Sequence, residues 1–273
     1  MAVSSPLSSR QTVAALLTLT AVTGLVDAVS YLRLGRVFVA NMTGNVVFLG
    51  FSVDPRSGLS AAASIIAIAG FVLGALAGGR AAHTLAAQPG YWLATVFTAE
   101  ALILALVAVL TATSVLPFAG DGRFATIALL AAALGVQNST VRHLGAPDLT
   151  TTVLTLTLTG LTADSALAGG PGAKPRRRLG SVAAMLAGAA AGAVIVQWSP
   201  TAVIAIAAAL AAAVAGVFTT GGPGVAQAAR STSPPRNTGA LATPAPAGLR
   251  ATRPALTNQP VAALGEPDHA RPI

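Results

Sequence analysis

Long apolar runs separated by short polar breaks fill the first 220 residues of this chain. Six of them fall at about 12–32, 59–79, 92–116, 124–141, 179–198 and 200–219. A helix that crosses hydrocarbon needs about 20 apolar residues with few or no charges. A soluble core can hide one such run, but six in succession predict an all-α fold, a polytopic transmembrane helix bundle. Segments of about ten residues with alternating polarity, which a membrane barrel requires, are missing.

Two further segments are apolar but interrupted. Residues 37–51 read VFVANMTGNVVFLGF, and residues 149–168 read LTTTVLTLTLTGLTADSALA. Each is short or rich in Thr and Gly, and each follows a spanning helix that ends in Leu-Gly (Leu34-Gly35 and Leu144-Gly145). The fold expected is therefore six full spans plus two short or interrupted membrane segments.

The landmarks recur in order. Gly24 and Gly35 in the first half answer to Gly135 and Gly145 in the second, and Gly35–Gly50 has the same spacing as Gly145–Gly160. Superposed in this way, Asp27 falls on Asn138, Asn41 on Thr151 and Asn45 on Thr155. Glycines four apart follow in both halves, Gly70, Gly74 and Gly78, then Gly188 and Gly192. A tryptophan opens the last helix of each, Trp92 and Trp198, as an interfacial anchor would. This ordered set predicts an internal two-fold repeat with halves at about 12–116 and 124–219. The small-residue spacing is expected to be structural, because lipid supplies no hydrophobic drive between helices and close backbone approach must supply the packing energy.

The parity of the interrupted segments decides the topology. If both cross, the halves are parallel with four spans each; if both dip and return, the halves are inverted with three. In either case Lys and Arg up to residue 236 divide nine to four in favour of the side holding the N-terminus. Both termini are thus expected in the cytoplasm, with Lys174 and Arg176–Arg178 as the strongest anchor. Residues 1–11 form a cytoplasmic N-terminus. The following apolar run is long enough to span and lacks a convincing cleavage site, so an uncleaved first helix is expected.

Composition sharpens this picture. The chain is 54% hydrophobic and 9% charged, far below the charge content of soluble domains. Its net charge of +8 reads as loop and headgroup charge rather than as a nucleic-acid surface, since no folded basic domain carries it. The absence of cysteine excludes disulfides, thiolate metal sites and Cys nucleophiles. Beyond residue 220 the chain turns rich in proline, with nine of seventeen in 221–273. That segment is expected to be a disordered cytoplasmic tail.

Polar groups at bilayer depth are costly and ask for a role. Asp27 shares a helix face with Thr20, Thr23, Gly24 and Tyr31 by three- and four-residue spacing. It is either a proton- or cation-coupling carboxylate or the partner of an interior group such as Arg33 or Arg36. Glu100, on an otherwise apolar face, is a second coupling candidate. Asn41, Thr43 and Asn45 flank Gly44 in the first interrupted segment, where a helix break would expose backbone ends for solute binding; otherwise they serve as interhelical glue. Asn138, Thr151 and Thr155 occupy the matching positions of the second half. The histidines have no companions at metal-ligand spacing, and no nucleophilic triad, phosphate loop or dinucleotide fingerprint is present. Neither enzymatic activity nor a cofactor or metal is expected.

The string GLVDAVSYL from Gly24, then VFVANMTGN from Val37 and Leu49-Gly50, resembles the YoaK-type family of bacterial multi-pass inner-membrane proteins, a family without an established function. Gly135-Val-Gln-Asn and the string LGAPDLTTTVLT from Leu144 resemble it too, so the likeness covers about 12–220. Where that family commonly reads Thr-Gly-Thr-Leu-Thr, this chain has Thr155-Leu-Thr-Leu-Thr159, which argues against a helix break at that point. The resemblance implies an inner-membrane location but supplies no substrate.

Two functions stay in view. One is a small-solute transporter or permease, its midplane site lined by Asp27, Asn41, Thr43 and Asn45 from one half and by Asn138, Thr151 and Thr155 from the other. The other is a non-transporting scaffold or assembly partner. Its partners are the lipid bilayer and, in the first reading, an unidentified small solute; homo-oligomerisation stays open.

Overall fold

The computed structural model describes residues 5–144, 154–165, 168–169 and 175–220, and among these every regular element is helical. The Thr151 position and the 221–273 tail lie outside the described residues. A capping box opens α1 (Ser9–Arg33): the Ser8 hydroxyl accepts the Gln11 N–H while the Gln11 side chain accepts the Ser8 N–H. The helix ends at Leu34, where Gly35 at φ 99° and Arg36 at φ 57° reverse the chain. Next come α2 (Met42–Phe51), a 3-10 turn at Pro55–Ser57, and α3 (Ala61–Leu85), capped by the Ser60 hydroxyl. Proline opens α4 (Pro89–Ala112), where its missing N–H costs nothing. Then follow α5 (Gly122–His143), α6 (Leu154–Ala163), α7 (Pro175–Ile195) and α8 (Pro200–Thr220).

Six of these helices are long and apolar enough to cross a membrane, and they coincide with the six runs read from the sequence. The protein is a multi-pass membrane protein. By contrast, the ten residues of α2 extend only about 15 Å, half of the roughly 30 Å hydrocarbon core. Helix α2 cannot cross.

Three close pairings build the bundle: α1 lies parallel to α7, α3 parallel to α5, and α4 antiparallel to α8. Glycine makes the first two possible. A Cβ on Gly70 would stand 2.7 Å from the Ala128 carbonyl oxygen, and one on Gly74 would collide with Ala132. On the other pairing, Gly188 rests directly on Ala21. The contacts share a register. Gly24 lies against Met185 and Ala189, and Gly135 against Phe71 and Ala75. Gly78 meets Val136 and Ser139, and Gly192 meets Leu25 and Ala28. Close backbone approach of this kind is the main source of packing energy between helices in lipid.

Two apolar clusters fill the interior. One gathers Leu16, Leu19, Trp92, Leu93, Phe97 and Phe218 near the end that holds the start of α1. The other runs through Val26, Val29, Leu104, Leu130, Leu134 and Ile204. Buried polar residues fall where the clusters meet along the helices: Thr20 and Thr23 on α1, Glu100 on α4 and Gln137 on α5. The Gln137 Nε2 donates to Thr23 Oγ1 at 2.9 Å, tying α5 to α1.

The tryptophans divide. Trp198 is 77% exposed, as an interfacial anchor should be, but Trp92 is fully buried. Because α4 starts at Pro89, Trp92 already lies a turn inside the helix and packs into the core cluster rather than standing at its rim.

Candidate functional site

The polar stripe of α1 does face protein: Thr20, Thr23 and Asp27 are all buried. Asp27 lies six residues before the end of its helix, about 9 Å along the axis. Its Oδ1 accepts two backbone hydrogen bonds, from the N–H of Val39 and from that of Ala40, each at 3.0 Å. The chain leaving α1 has therefore turned at Gly35 and come back to the depth of Asp27. Arg33, one of the partners considered for Asp27, instead donates to the Val196 carbonyl at 3.0 Å.

From that depth α2 climbs out again. Tyr31, one turn beyond Asp27, stacks on Phe38 at 5.1 Å, and Phe48 near the end of α2 closes on Phe38 at 5.6 Å and on Tyr31 at 6.2 Å. Past α2, Gly58 sits beside the guanidinium of Arg36, so the two loops share one end of the bundle. Residues 37–51 thus form a hairpin with an irregular first limb, bent at Val39 and Ala40, and a helical second one.

Asparagine side chains hold the hairpin at its turn. Asn41 is the N-cap of α2, its Oδ1 accepting from the Gly44 N–H at 3.3 Å. Asn45 reads both backbone groups of Phe38: its Oδ1 accepts the Phe38 N–H at 2.9 Å and its Nδ2 donates to the Phe38 carbonyl at 2.6 Å. A Cβ at Gly44 would stand 2.8 Å from the Phe38 ring, so a larger residue there would displace that ring. Irregular backbone inside a membrane has no helical or strand partners of its own, and each buried N–H left unpaired costs about 1–3 kcal/mol. Asp27 and Asn45 between them satisfy Phe38, Val39 and Ala40.

The remaining sequence candidates are spread more widely. Thr43 on α2 and Thr155 on α6 are exposed. Asn138 is half-buried on α5, and its Nδ2 donates to the Leu134 carbonyl at 2.8 Å. Helix α6 runs unbroken from Leu154 to Ala163, in keeping with the Thr-Leu-Thr-Leu-Thr reading. Glu100 is completely buried, and neither of its oxygens has a hydrogen-bonding partner among the described residues. The structure joins Asp27 and Asn45 through one short piece of backbone; Glu100 stands apart from them on α4.

Among the described residues, cavities lie on two sides of the bundle. A groove of about 630 Å³ between α4 and α8 is lined almost wholly by alanine and other apolar side chains. A second, of about 570 Å³, opens at the turn after α1 and is lined by Tyr31, Arg33, Arg36 and Arg123. Neither is lined by Asp27, Asn41, Asn45 or Asn138. The arginine cavity went unread in the sequence because Arg123 lies far along the chain from Arg33 and Arg36 and meets them only through packing. The histidines also converge, His83 and His143 standing edge to face at 6.0 Å, and no group of three potential metal ligands occurs among the described residues.

Comparison with known proteins gives a family but no activity. A family described as "Protein of unknown function (DUF1275)" matches residues 15–217. The UPF0700 transmembrane protein YoaK of Bacillus subtilis (strain 168) is 36% identical over 163 residues, covering 57% of this chain and 67% of its own length. No solved structure matches the chain.

Proposed function

We propose that this chain, which belongs to the DUF1275 family of proteins of unknown function, is a small-solute transporter or permease built from two inverted repeats around re-entrant segments. The observation that carries the reading is the hairpin itself, irregular backbone brought to bilayer depth and held there by Asp27. Non-helical backbone at that depth is tolerated where it is enclosed by protein or lines a water-filled cavity, and discontinuous segments of this kind form solute paths in secondary transporters.

The helix pairings support the duplication. Exchanging α1 with α5 and α3 with α7 turns one close pair into the other, and the glycine contacts keep step: Gly74 on Ala132 as Gly188 on Ala21, Gly135 beside Phe71 as Gly24 beside Met185. With three spans in each half, such repeats run in opposite directions through the membrane. The locations proposed with this are the bacterial inner membrane and a cytoplasmic position for both termini.

In this reading Asp27 and Asn45 shape the path rather than face the solute. Asn41, Thr43, Asn138, Thr151 and Thr155 are the side chains offered to it, and Asp27 and Glu100 are the groups through which transport couples to protons or cations.

The observation favouring a scaffold is that Asp27 and Asn45 are spent on the chain's own backbone. Accessibility separates the two readings without knowledge of the solute. The chain has no cysteine, so Thr43→Cys gives a single thiol at the exposed start of α2. Labelling by a membrane-impermeant maleimide from either face of oriented vesicles is the outcome expected of alternating access. Labelling from one face only, under every ion gradient tried, would favour the scaffold.

A further inference from the structure

The cavity at the turn after α1 collects positive charge that no carboxylate among the described residues neutralises. Arg33 and Arg36 come from the α1–α2 turn and Arg123 from the first turn of α5. The ion pair seen among the described residues, Arg178 with Asp164, lies elsewhere, and no described carboxylate comes within pairing distance of these three arginines. Tyr31 adds a phenol to the same wall, and apolar Phe118 closes the cavity on the α5 side.

Specific features hold Arg123 and Arg33 and set the backbone of Arg36. Arg123 lies over Gly35, where a Cβ would approach its Nη1 to 3.1 Å, so the absence of a side chain at that residue makes room for it. Its Nε is buried and has no hydrogen-bonding partner, although a buried guanidinium N–H normally has one. The ring of Phe124 supports its other side at 5.2 Å. Arg33 is steadied by its bond to the Val196 carbonyl. Arg36 adopts φ 57°, a conformation rare outside glycine and of the kind that gathers at functional sites.

The geometry points to an oxyanion site, in which Arg33, Arg36 and Arg123 grip the phosphate group of a larger molecule seated in this cavity. Guanidinium forks match phosphate oxygens in pairs, which a point charge does not. At the edge of a membrane protein the phosphate belongs either to a lipid headgroup or to a soluble phosphate-bearing molecule, and both present the same chemistry.

Two titrations of the full-length protein in neutral detergent test this, at a fixed ionic strength set with chloride. One follows retention of phosphatidylglycerol by native mass spectrometry, the other follows inorganic phosphate by calorimetry. Arg123→Gln and Arg36→Gln should each weaken binding by about tenfold or more, the worth of one charge-assisted contact. Arg80→Gln, at the far end of α3, should leave it unchanged. Loss in the lipid arm assigns a headgroup, and loss in the phosphate arm assigns a soluble ligand. Absence of binding in both arms would overturn the site, as would equal binding by wild type and both variants, or an equal loss with Arg80→Gln. Should Arg123→Gln fail to give a monodisperse helical protein, the exposed Arg36→Gln decides alone.

Discussion

Ala40 lies thirteen residues beyond Asp27, yet its N–H donates to the Asp27 Oδ1 at 3.0 Å, and the neighbouring Val39 N–H donates to the same oxygen at the same distance. One carboxyl oxygen thus pins the bottom of a hairpin that enters the bundle and leaves by the face it entered. The pairing also divides two roles that one acidic residue can hold. An amide oxygen can also accept both bonds, but the amide cannot carry a proton between the two sides.

The first prediction follows directly. Asp27→Asn keeps the single acceptor oxygen and should fold with a Tm close to wild type. Asp27→Leu strands two buried N–H groups and should lose about 2–6 kcal/mol of stability, at 1–3 for each. If the carboxyl also couples transport, Asp27→Asn abolishes pH-driven uptake in proteoliposomes despite normal folding. Thermal unfolding of both variants, beside their uptake, separates the roles.

Glycine positions on α3 make the second. Gly74 touches the Ala132 backbone, whereas nothing lies within 4 Å of a Cβ on Gly79. Gly74→Val should therefore cost at least the 1–3 kcal/mol typical of overpacking, and Gly79→Val almost nothing. Tm measured in one detergent for the two variants checks the contrast, and Gly188→Val should behave like the first because it meets Ala21 in the same manner.

Glu100 gives the third. A fully buried carboxyl without a hydrogen-bonding partner destabilises the fold that contains it. Glu100→Leu should raise stability by about 1–3 kcal/mol. A stabilised variant that no longer responds to an imposed ion gradient would mark Glu100 as a group kept for function; a stabilised variant with unchanged uptake would remove it from the mechanism.

A fourth concerns the bond between α1 and α5. Thr23 and Gln137 pair at 2.9 Å inside the bundle. A double-mutant cycle of Thr23→Val with Gln137→Leu should give a coupling of about 0.6 kcal/mol, the usual worth of such a bond in a membrane. A coupling near zero would mean that the two side chains do not meet.

Much of this architecture is legible in the sequence, for physical reasons. Spanning helices announce themselves because lipid admits few other residues, and the six runs agree with the helices to within a few residues at most ends. Gly70, Gly74, Gly78, Gly188 and Gly192 could be read as packing positions because close approach in lipid leaves small residues as its signature. Asn41 and Asn45 belong to an apolar segment that the sequence interrupts, and α2 begins between them.

What the sequence conceals depends on where the chain turns. Nothing in the spacing of Asp27 and Ala40 says that Gly35 and Arg36, both at positive φ, fold one back on the other. An acidic residue in a polar stripe looks alike whether it binds a solute, an arginine or two amides. Trp92 reads as an anchor until Pro89 is seen to start the helix a turn earlier. The arginine cavity depends on residues from separate parts of the chain, and charge counts alone class them as headgroup anchors.

Sidedness of the hairpin is the most direct test, because an excursion that returns fixes three spans in the first half, as the inverted arrangement requires. Single cysteines at Leu32 and Val53 flank residues 37–51, with Val115 after α4 and Thr84 at the end of α3 as references; all four positions are exposed. In oriented vesicles, an impermeant thiol reagent should label positions 32, 53 and 115 from one face and position 84 from the other. Labelling of positions 32 and 53 from opposite faces would mean that this segment crosses the bilayer, and the inverted arrangement would be wrong.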